Sequence, residues 1–179
     1  MSQLKVNSIV PKDGLPGGAN GGIIQIVQSV KTDTFSSVGA GSSFVDVTGL
    51  TVAITPSSSS NKVMIIPSVN MAANSGHRHG FKIVRVVGGS TTDIFIGDAN
   101  SDNSRVTVFQ GNVPTNANSY HYSPLCLDSP ATTSAVTYKI QIKGESNSTD
   151  IFINRPQSTN TGSDFFRGVC TMTAMEVTV

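Results

Sequence analysis

Residues 135–143, AVTYKIQIK, decide the fold class of this chain. Apolar and polar side chains alternate strictly here, as expected of a half-buried β-strand, because successive side chains of a strand point to opposite faces. The alternation predicts that Val136, Tyr138, Ile140 and Ile142 point inward. The polar residues between them are predicted to face water.

Strand-type segments recur on both sides of this stretch, and turn residues separate them at the short spacing typical of sandwiches and barrels. Gly88-Gly89 between two segments predicts a β-hairpin, and the continuous apolar run at 62–66 predicts a strand buried on both faces. The predicted strands cover residues 22–30, 44–47, 50–54, 62–66, 81–87, 92–96, 105–109, 120–127, 135–143, 149–154 and 168–179. We therefore predict an all-β fold, an antiparallel two-sheet sandwich of jelly-roll type.

The last segment, 168–179, is expected to lie in the centre of a sheet. Residues 34–43, rich in Gly and Ser, predict a turn region, and Pro56 with the four serines after it predicts a flexible connection. One face of the last segment carries Val169, Thr171, Thr173, Met175, Val177 and Val179.

The composition favours strands and argues against several partners. Of the 179 residues, 37% are hydrophobic and 13% are charged, about half the usual charged share. The net charge of +1 comes without a basic cluster, so we expect no nucleic-acid partner. No segment has the length and hydropathy of a secretion signal or a membrane span, so we expect no membrane insertion. Cys126 and Cys170 are expected to be buried free thiols.

The first 22 residues are predicted to be separate from the folded head, which we place at 23–179. An extended segment with Leu4, Val6 and either Ile9 or Val10 as its buried set ends at a proline, and turn and hinge residues rich in glycine follow. A strand this short is not stable alone. The sequence therefore predicts an attachment segment that docks on another copy of the chain or on a different protein.

His77 and His79 are the candidate metal ligands. In a strand, residues two apart face the same way, so both imidazoles would reach one ion. The alternative is a polar loop between Gly76 and Gly80. Because no carboxylate or third ligand lies nearby in sequence, we expect the loop and no bound metal.

Two aromatic clusters are the candidates for surface or subunit recognition. Tyr120 and Tyr122 flank a histidine, and Phe165 and Phe166 precede Arg167. Aromatic and arginine side chains are enriched among interface anchors, and aromatic rings also stack on sugars. The alternative is a structural role, in which alternate aromatic residues of a strand are buried.

Catalytic motifs are not evident. The sequence has no glycine-flanked nucleophile and no phosphate-binding glycine loop. Asp128, Glu145, Asp150 and Asp164 are conceivable carboxylates for a glycosidase pair, but eleven acidic residues scattered along the chain make such a set expected by chance. We expect no enzymatic activity and no cofactor.

Several stretches resemble tail-fibre and other virion structural proteins of marine tailed phages, above all cyanophages. They are LKVNSIVPKDG at 4–14, GGIIQIVQSVKTDTFS at 21–36, LTVAITPSSSSNKVMIIPSV at 50–69, LDSPATTSAVTYKIQIK at 127–143 and RGVCTMTAMEV at 167–177. The resemblance implies a β-sandwich head that works as a homotrimer, with the N-terminal segment attaching it to the particle. In such a trimer, pairs of His77 and His79 near the three-fold axis would offer six nitrogens to a metal.

The expected function is that of a virion structural protein, assembled in the host cytoplasm. A short tail-fibre or adhesin-type module would bind a host-surface glycan or protein. A capsid decoration or head-fibre protein, which binds and stabilises the particle, fits the length of the chain equally well. A polysaccharide-cleaving enzyme is the third reading.

Overall fold

The computed structural model describes residues 22–41, 43–158 and 165–179. The predicted attachment residues Leu4, Val6, Ile9 and Val10 lie outside this part of the chain, so their role stays a prediction.

The described residues form twelve β-strands and contain no helix. All strand pairs are antiparallel, and the strands make two sheets. The strands are β1 (Ile23–Lys31), β2 (Phe35–Ser37), β3 (Val45–Ile54), β4 (Lys62–Ala73), β5 (His79–Val87), β6 (Ser90–Ile94), β7 (Val108–Gln110), β8 (Tyr120–Tyr122), β9 (Cys126–Asp128), β10 (Val136–Gly144), β11 (Ile151–Ile153) and β12 (Cys170–Val177).

The strand order is that of a jelly roll, as predicted. The first sheet contains the order β1-β12-β4, with β9 on the other side of β4, and the second contains β3-β10-β5-β6. Among these eight strands the first lies beside the last, and apart from the β5–β6 hairpin the chain crosses to the other sheet at each connection, as it does in a jelly roll. Further strands extend the sheets: β11 and β2 continue the first sheet, β8 pairs with β4, and β7 pairs with β5. The C-terminal strand β12 is central, between β1 and β4, which confirms its predicted place.

The core lies between the two sheets and is built by strand alternation. Val136, Tyr138, Ile140 and Ile142 of β10 are all fully buried, which confirms the inward face predicted for this strand. Burial of such side chains stabilises a fold by about 1.5–3 kcal/mol each. Inward residues of several other strands complete the same cluster: Leu50, Val52, Val63, Ile65, Val69, Met71, Phe81, Ile83, Ile151, Ile153 and Met172.

The predicted hairpin is confirmed. β5 and β6 pair from Val87 opposite Ser90 to Ile83 opposite Ile94, with only Gly88-Gly89 between them. Both glycines have positive φ, 56° and 85°. A two-residue turn with positive φ at both positions matches the twist of the strands that it joins, and glycine adopts it without steric cost.

The prediction that 62–66 is a strand buried on both faces is wrong. Burial alternates along β4: Val63 and Ile65 are buried, whereas Met64 and Ile66 are half-exposed. The strand also continues through Pro67 to Ala73, although proline is rare in the middle of a sheet because it lacks an N–H donor.

A break in the neighbouring strand explains why proline is tolerated. β9 pairs with residues 63–65 and β8 with residues 69–71. The pairing of β4 with these two strands is therefore interrupted at Ser123–Leu125, on the level of Pro67. This break also divides the single strand predicted at 120–127 into two.

Three other boundaries differ from the prediction. The segments 44–47 and 50–54 form one strand, β3, because Gly49 adopts a φ of 82° where the register against β10 shifts. Glycine at a β-bulge allows the bend without ending the strand. Within the predicted turn region 34–43, β2 pairs with β11. Of the strand predicted at 105–109, only the last two residues belong to β7.

Cys126 and Cys170 are buried and free, as predicted. Burial raises the pKa of the Cys126 thiol to about 11. The described residues include no helix that is long and apolar enough to span a membrane.

Candidate recognition surfaces

The outward side of the first sheet carries exposed apolar side chains. On the edge strand β1, Ile24, Ile26 and Val30 are 53%, 61% and 55% exposed. Ile26 lies opposite Met175 of β12, Met175 lies opposite Met64 of β4, and Met64 lies opposite Leu127 of β9. An apolar row thus crosses four strands on the solvent side. We call the outward positions of these strands the outer apolar face: Ile24, Ile26, Gln28, Val30, Lys62, Met64, Ile66, Ser68, Leu127, Thr171, Thr173, Met175 and Val177.

This face is almost free of charge. Lys62 is the one charged residue among its members, and the side-chain amide of Gln28 donates to Thr173 Oγ1 at 2.8 Å. Isolated apolar residues are common on protein surfaces, but a contiguous apolar patch marks a contact surface. The outer apolar face is therefore a candidate contact surface.

The two predicted aromatic clusters meet at one cleft. His121 of β8 and the segment 166–168, which leads into β12, both line it, whereas Tyr120 and Tyr122 do not. The cleft has a volume of about 190 Å³ and lies beside the outer apolar face, since Ser68 Oγ of that face is 2.8 Å from His121 Nε2. We call it the recognition cleft; its lining residues are Asn70, Ser119, His121, Asn154, Arg155, Phe166, Arg167 and Gly168.

The predicted recognition residues contribute to this region differently. Phe166 is 80% exposed and Arg167 is exposed, whereas Phe165 is half-buried and lines an adjoining depression. Tyr120 and Tyr122 are also half-buried. The ring of Tyr122 packs edge-on against Phe81, with 6.2 Å between centroids.

Tyr122 is further held by its hydroxyl, which donates to Gln110 Oε1 at 3.0 Å. Burial, followed by the proximity of Tyr120, raises the pKa of Tyr122 to about 12. The exposed member of the Tyr120–Tyr122 strand is His121, so the histidine between the two tyrosines is the residue that reaches the recognition cleft.

A buried asparagine organises the walls of the recognition cleft. Asn154 is fully buried with a φ of 62°, and its amide donates to the carbonyl oxygens of Lys31 at 2.8 Å and Asp33 at 3.0 Å. The backbone carbonyl of Asn154 accepts from the N–H of Gly168 at 3.0 Å. Asn tolerates this left-handed conformation better than most residues. Asn154 therefore joins β1, β11 and the segment before β12 in one place.

Asn70 and Cys170 complete this junction. The Asn70 amide donates to the carbonyl of Val169 at 2.7 Å, and the Cys170 thiol donates to Asn154 Oδ1 at 2.9 Å. Gly168 leaves room for the Asn70 amide, because a Cβ at Gly168 would lie 2.8 Å from Asn70 Nδ2. The 166–168 wall is thus fixed at its end by the hydrogen bond of Gly168 to the buried Asn154, and half-buried Asn70 holds the next residue, Val169.

Two arginines give the recognition cleft its charge. Arg155 stacks its guanidinium on Phe152, 4.3 Å from the ring centroid, and donates to Ser36 Oγ at 2.8 Å. Burial lowers the pKa of Arg155, and the nearby charge of Arg167 lowers it further. Within 22–41, 43–158 and 165–179, neither arginine forms an ion pair with a carboxylate.

A second, larger cleft lies at the edge of the other sheet and was not predicted. It has a volume of about 600 Å³ and includes Phe109, which is 74% exposed. Arg78 Nη1 donates to Glu145 Oε2 at 3.0 Å on its wall. Two residues that the sequence suggests for other roles, His79 and Glu145, also line this cleft, but nothing in the sequence places them beside Phe109. The other lining residues are His79, Gly80, Asp102, Asn103, Ser104, Val106, Gln110, Lys143 and Gly144.

The candidate metal ligands do not share a strand. β5 begins at His79, so His77 lies in the preceding turn. His77 Nδ1 is 3.2 Å from Glu145 Oε1, whereas His79 is buried and its ring nitrogens have no hydrogen-bond partner among the described residues. Burial lowers the pKa of His79 to about 4. The part of the chain that the structure describes contains no cluster of three or more metal-ligating side chains.

The carboxylates considered for catalysis have structural partners. Asp128 pairs with Arg85 at 2.8 Å, and Glu145 with Arg78 at 3.0 Å. Asp150 Oδ1 accepts from the Gly39 N–H at 3.0 Å. Asp164 lies outside the described residues.

No protein-family model and no curated protein matches this chain. Among solved structures it is similar to the structure of infectious bursal disease virus, Gt strain, with 11% identity and a TM-score of 0.44, over 99% of this chain and 43% of that one. A mutant VP2 protein of the same virus, from derived T=1 particles, has 11% identity and a TM-score of 0.43, over 86% and 38% of the two chains. A VP2 subviral particle of this virus has 12% identity and a TM-score of 0.37, over 86% and 39%. The chain thus spans less than half the length of these viral proteins.

Proposed function

We propose that this chain is a virion structural protein of a tailed phage, and that it forms a homotrimeric, short tail-fibre module for attachment to the host surface. The observation that carries the proposal is the pairing of two features on one sheet: the nearly uncharged outer apolar face and the recognition cleft beside it. The first suits permanent assembly, and the second suits reversible binding of a ligand.

Assembly with further copies of the chain follows from the chemistry of the outer apolar face. Water-exposed apolar rows are stabilised when another apolar surface covers them. Because Lys62 is the single charge on the face, two copies of it meet without burying an unpaired charge cluster. Three copies are the number that the sequence resemblance to phage fibres implies.

Binding rather than catalysis is the proposed activity. Asp128, Glu145 and Asp150 are all engaged by neighbouring donors, and none of the three lines the recognition cleft. The recognition cleft instead offers aromatic, arginine, amide and hydroxyl groups. These are the group types with which binding sites orient a polar ligand.

Capsid decoration is the second candidate function. The outer apolar face is a sheet surface, and contact with a capsid subunit would bury it just as contact with another copy of the chain would. In this reading the attachment segment, residues 1–22, docks on the head of the particle, and the chain contributes to particle stability.

Gold labelling of intact phage particles, with antibody raised against residues 23–179, tests the proposal. Label at the tail or its fibres is the expected result, and binding of the isolated head to host cells is then the next assay. Label over the capsid would replace the attachment role with decoration. Purified particles without label, although the antibody recognises the free protein, would overturn the virion assignment.

A further inference from the structure

The recognition cleft concentrates positive charge in a small volume. Arg155 and Arg167 both line it, together with His121, and no Asp or Glu is among its lining residues. Burial lowers the pKa of Arg155, and the charge of Arg167 lowers it further. Like charges held near each other are stabilised by an anion between them.

Arg155 is held in place before any ligand binds. Its guanidinium rests on the Phe152 ring, 4.3 Å from the centroid, and donates to the carbonyls of Pro156 at 3.1 Å and Gln157 at 3.2 Å. A fixed donor loses little conformational entropy on binding, which favours affinity. Arg155 is therefore the preorganised side chain of the site.

Arg167 and Phe166 form the accessible side. Arg167 is exposed and Phe166 is 80% exposed, while the backbone next to them is fixed through the Gly168 N–H to Asn154 at 3.0 Å. Arginine is the side chain best suited to planar, two-pronged binding of carboxylate and phosphate groups. An aromatic ring beside it offers an apolar surface to a sugar ring.

The volume of the recognition cleft limits the size of the ligand that it can bind. About 190 Å³ is below the usual 300–1,000 Å³ of a pocket for a drug-sized ligand. One acidic group with part of one sugar ring fits this space, and the remainder of a polymer would extend over the exposed Phe166.

We infer that the recognition cleft binds an acidic saccharide, with the carboxylate, sulfate or phosphate group of one sugar residue between Arg155 and Arg167 and its ring against Phe166. The inference rests on the proposed function in one respect: an acidic polysaccharide of the host surface is the natural source of such a ligand. The selectivity for charge is a property of the cleft itself.

The test compares sugars that differ in a single acidic group. Galacturonate and galactose differ at C6, where one has a carboxylate and the other a hydroxymethyl group. Glucose 6-phosphate and glucose form a second pair, and inorganic phosphate alone probes the anion without the sugar. Binding of each probe to the intact protein is followed by NMR titration into the millimolar range.

We expect the acidic sugars to bind at least about tenfold more tightly than their neutral partners, and added salt to weaken the binding. Arg167→Gln should reduce the affinity by a similar factor, because the exposed guanidinium contributes charge and not packing. Arg105→Gln is the matched control, since Arg105 is exposed and donates to the Gly97 carbonyl at 2.6 Å, outside the cleft. Phe166→Ala should weaken the sugars and leave inorganic phosphate unaffected.

Equal binding of neutral and acidic sugars, or no binding in this range, would overturn the inference, as would full affinity in Arg167→Gln. If inorganic phosphate binds as tightly as glucose 6-phosphate, the claim that a sugar ring contributes to binding is refuted. The proposed function fails separately. If Arg167→Gln does not change host-cell binding, the attachment role stands and the acidic ligand is refuted. If the protein binds acidic sugars but is absent from particles, the ligand assignment stands and the virion role is refuted.

Discussion

Arg85 Nη1 donates to Asp128 Oδ1 at 2.8 Å, and the two residues belong to different sheets of the sandwich. The Tyr138 hydroxyl donates to the other oxygen of the same carboxylate at 2.9 Å. Burial raises the pKa of Tyr138, and the charge of Asp128 raises it further. Strand β9 is thereby linked by charge and hydrogen bonds to β5 and β10 across the core.

Asp128→Ala is predicted to destabilise the fold by about 2–3 kcal/mol, because Arg85, whose side chain is 20% exposed, and the Tyr138 hydroxyl both lose a carboxylate that is itself only 8% exposed. Chemical denaturation with a fluorescence or circular-dichroism readout measures the free energy of unfolding. Asp46→Ala is the matched control: Asp46 also pairs with a cation, Lys139, at 3.0 Å, but both side chains are partly exposed. Asp46→Ala should lower the free energy of unfolding by no more than about 1 kcal/mol. Equal costs for the two variants would contradict the assigned role of Asp128.

Acid is predicted to destabilise the protein through His79. Burial lowers the pKa of His79 from 6.5 to about 4, so the unfolded chain binds a proton more readily than the folded one. The stability that neutral His79 contributes is fully present above pH 6.5 and is lost as the pH falls toward 4, by roughly 3 kcal/mol in total.

His79→Phe should remove this part of the pH dependence, because phenylalanine does not titrate, while stability at neutral pH is retained. Unfolding free energies measured between pH 7.5 and pH 4 check the prediction. His121→Gln, at an exposed position, should follow the wild-type curve. A His79→Phe curve parallel to wild type would show that other groups cause the acid sensitivity.

Local patterns predicted most of the strands, because alternation reports which face of a segment is buried. The inward face of β10 and the Gly88-Gly89 hairpin follow from neighbouring residues alone. The continuation of β4 through Pro67 does not, since the break between β8 and β9 that accommodates the proline comes more than fifty residues later in the chain. The predicted strand covers only residues 62–66, whereas β4 continues past the proline to Ala73.

Local sequence patterns also could not predict the recognition cleft. Both aromatic clusters were visible in the sequence, but His121 and Phe166 are 45 residues apart and meet only because β8 and the approach to β12 lie near the same part of β4. The contribution of Arg155 depends on its stacking against Phe152. Contacts between distant segments of this kind depend on strand order, which periodicity does not report.

Ile26→Lys is predicted to break the self-association of the protein without unfolding it. Ile26 is 61% exposed in the row with Met175 and Met64, so a charge at this position remains solvated in the monomer and is buried without a partner in the assembly. Light scattering should report a trimer for wild type and a monomer for the variant. Val38→Lys, which places the same charge at a residue 82% exposed and outside the outer apolar face, should remain trimeric. A wild-type protein that stays monomeric at micromolar concentrations would refute the prediction.

Removal of residues 1–21 is predicted to abolish incorporation into particles and to leave the head folded. The contacts that close β1 begin at Gly22, whose N–H donates to Thr178 Oγ1 at 3.0 Å and whose carbonyl accepts from the Thr178 N–H at 3.0 Å. A chain that starts at Gly22 therefore keeps every described contact of the sandwich, and its thermal unfolding should match that of the full chain. Immunoblots of purified particles measure incorporation. In the full chain, Leu4→Asp combined with Val6→Asp should act like the deletion, because a charged side chain cannot enter an apolar groove without cost, whereas Lys5→Gln should incorporate normally. Normal incorporation of the truncated chain would assign attachment to the head itself, with the outer apolar face as the next surface to mutate.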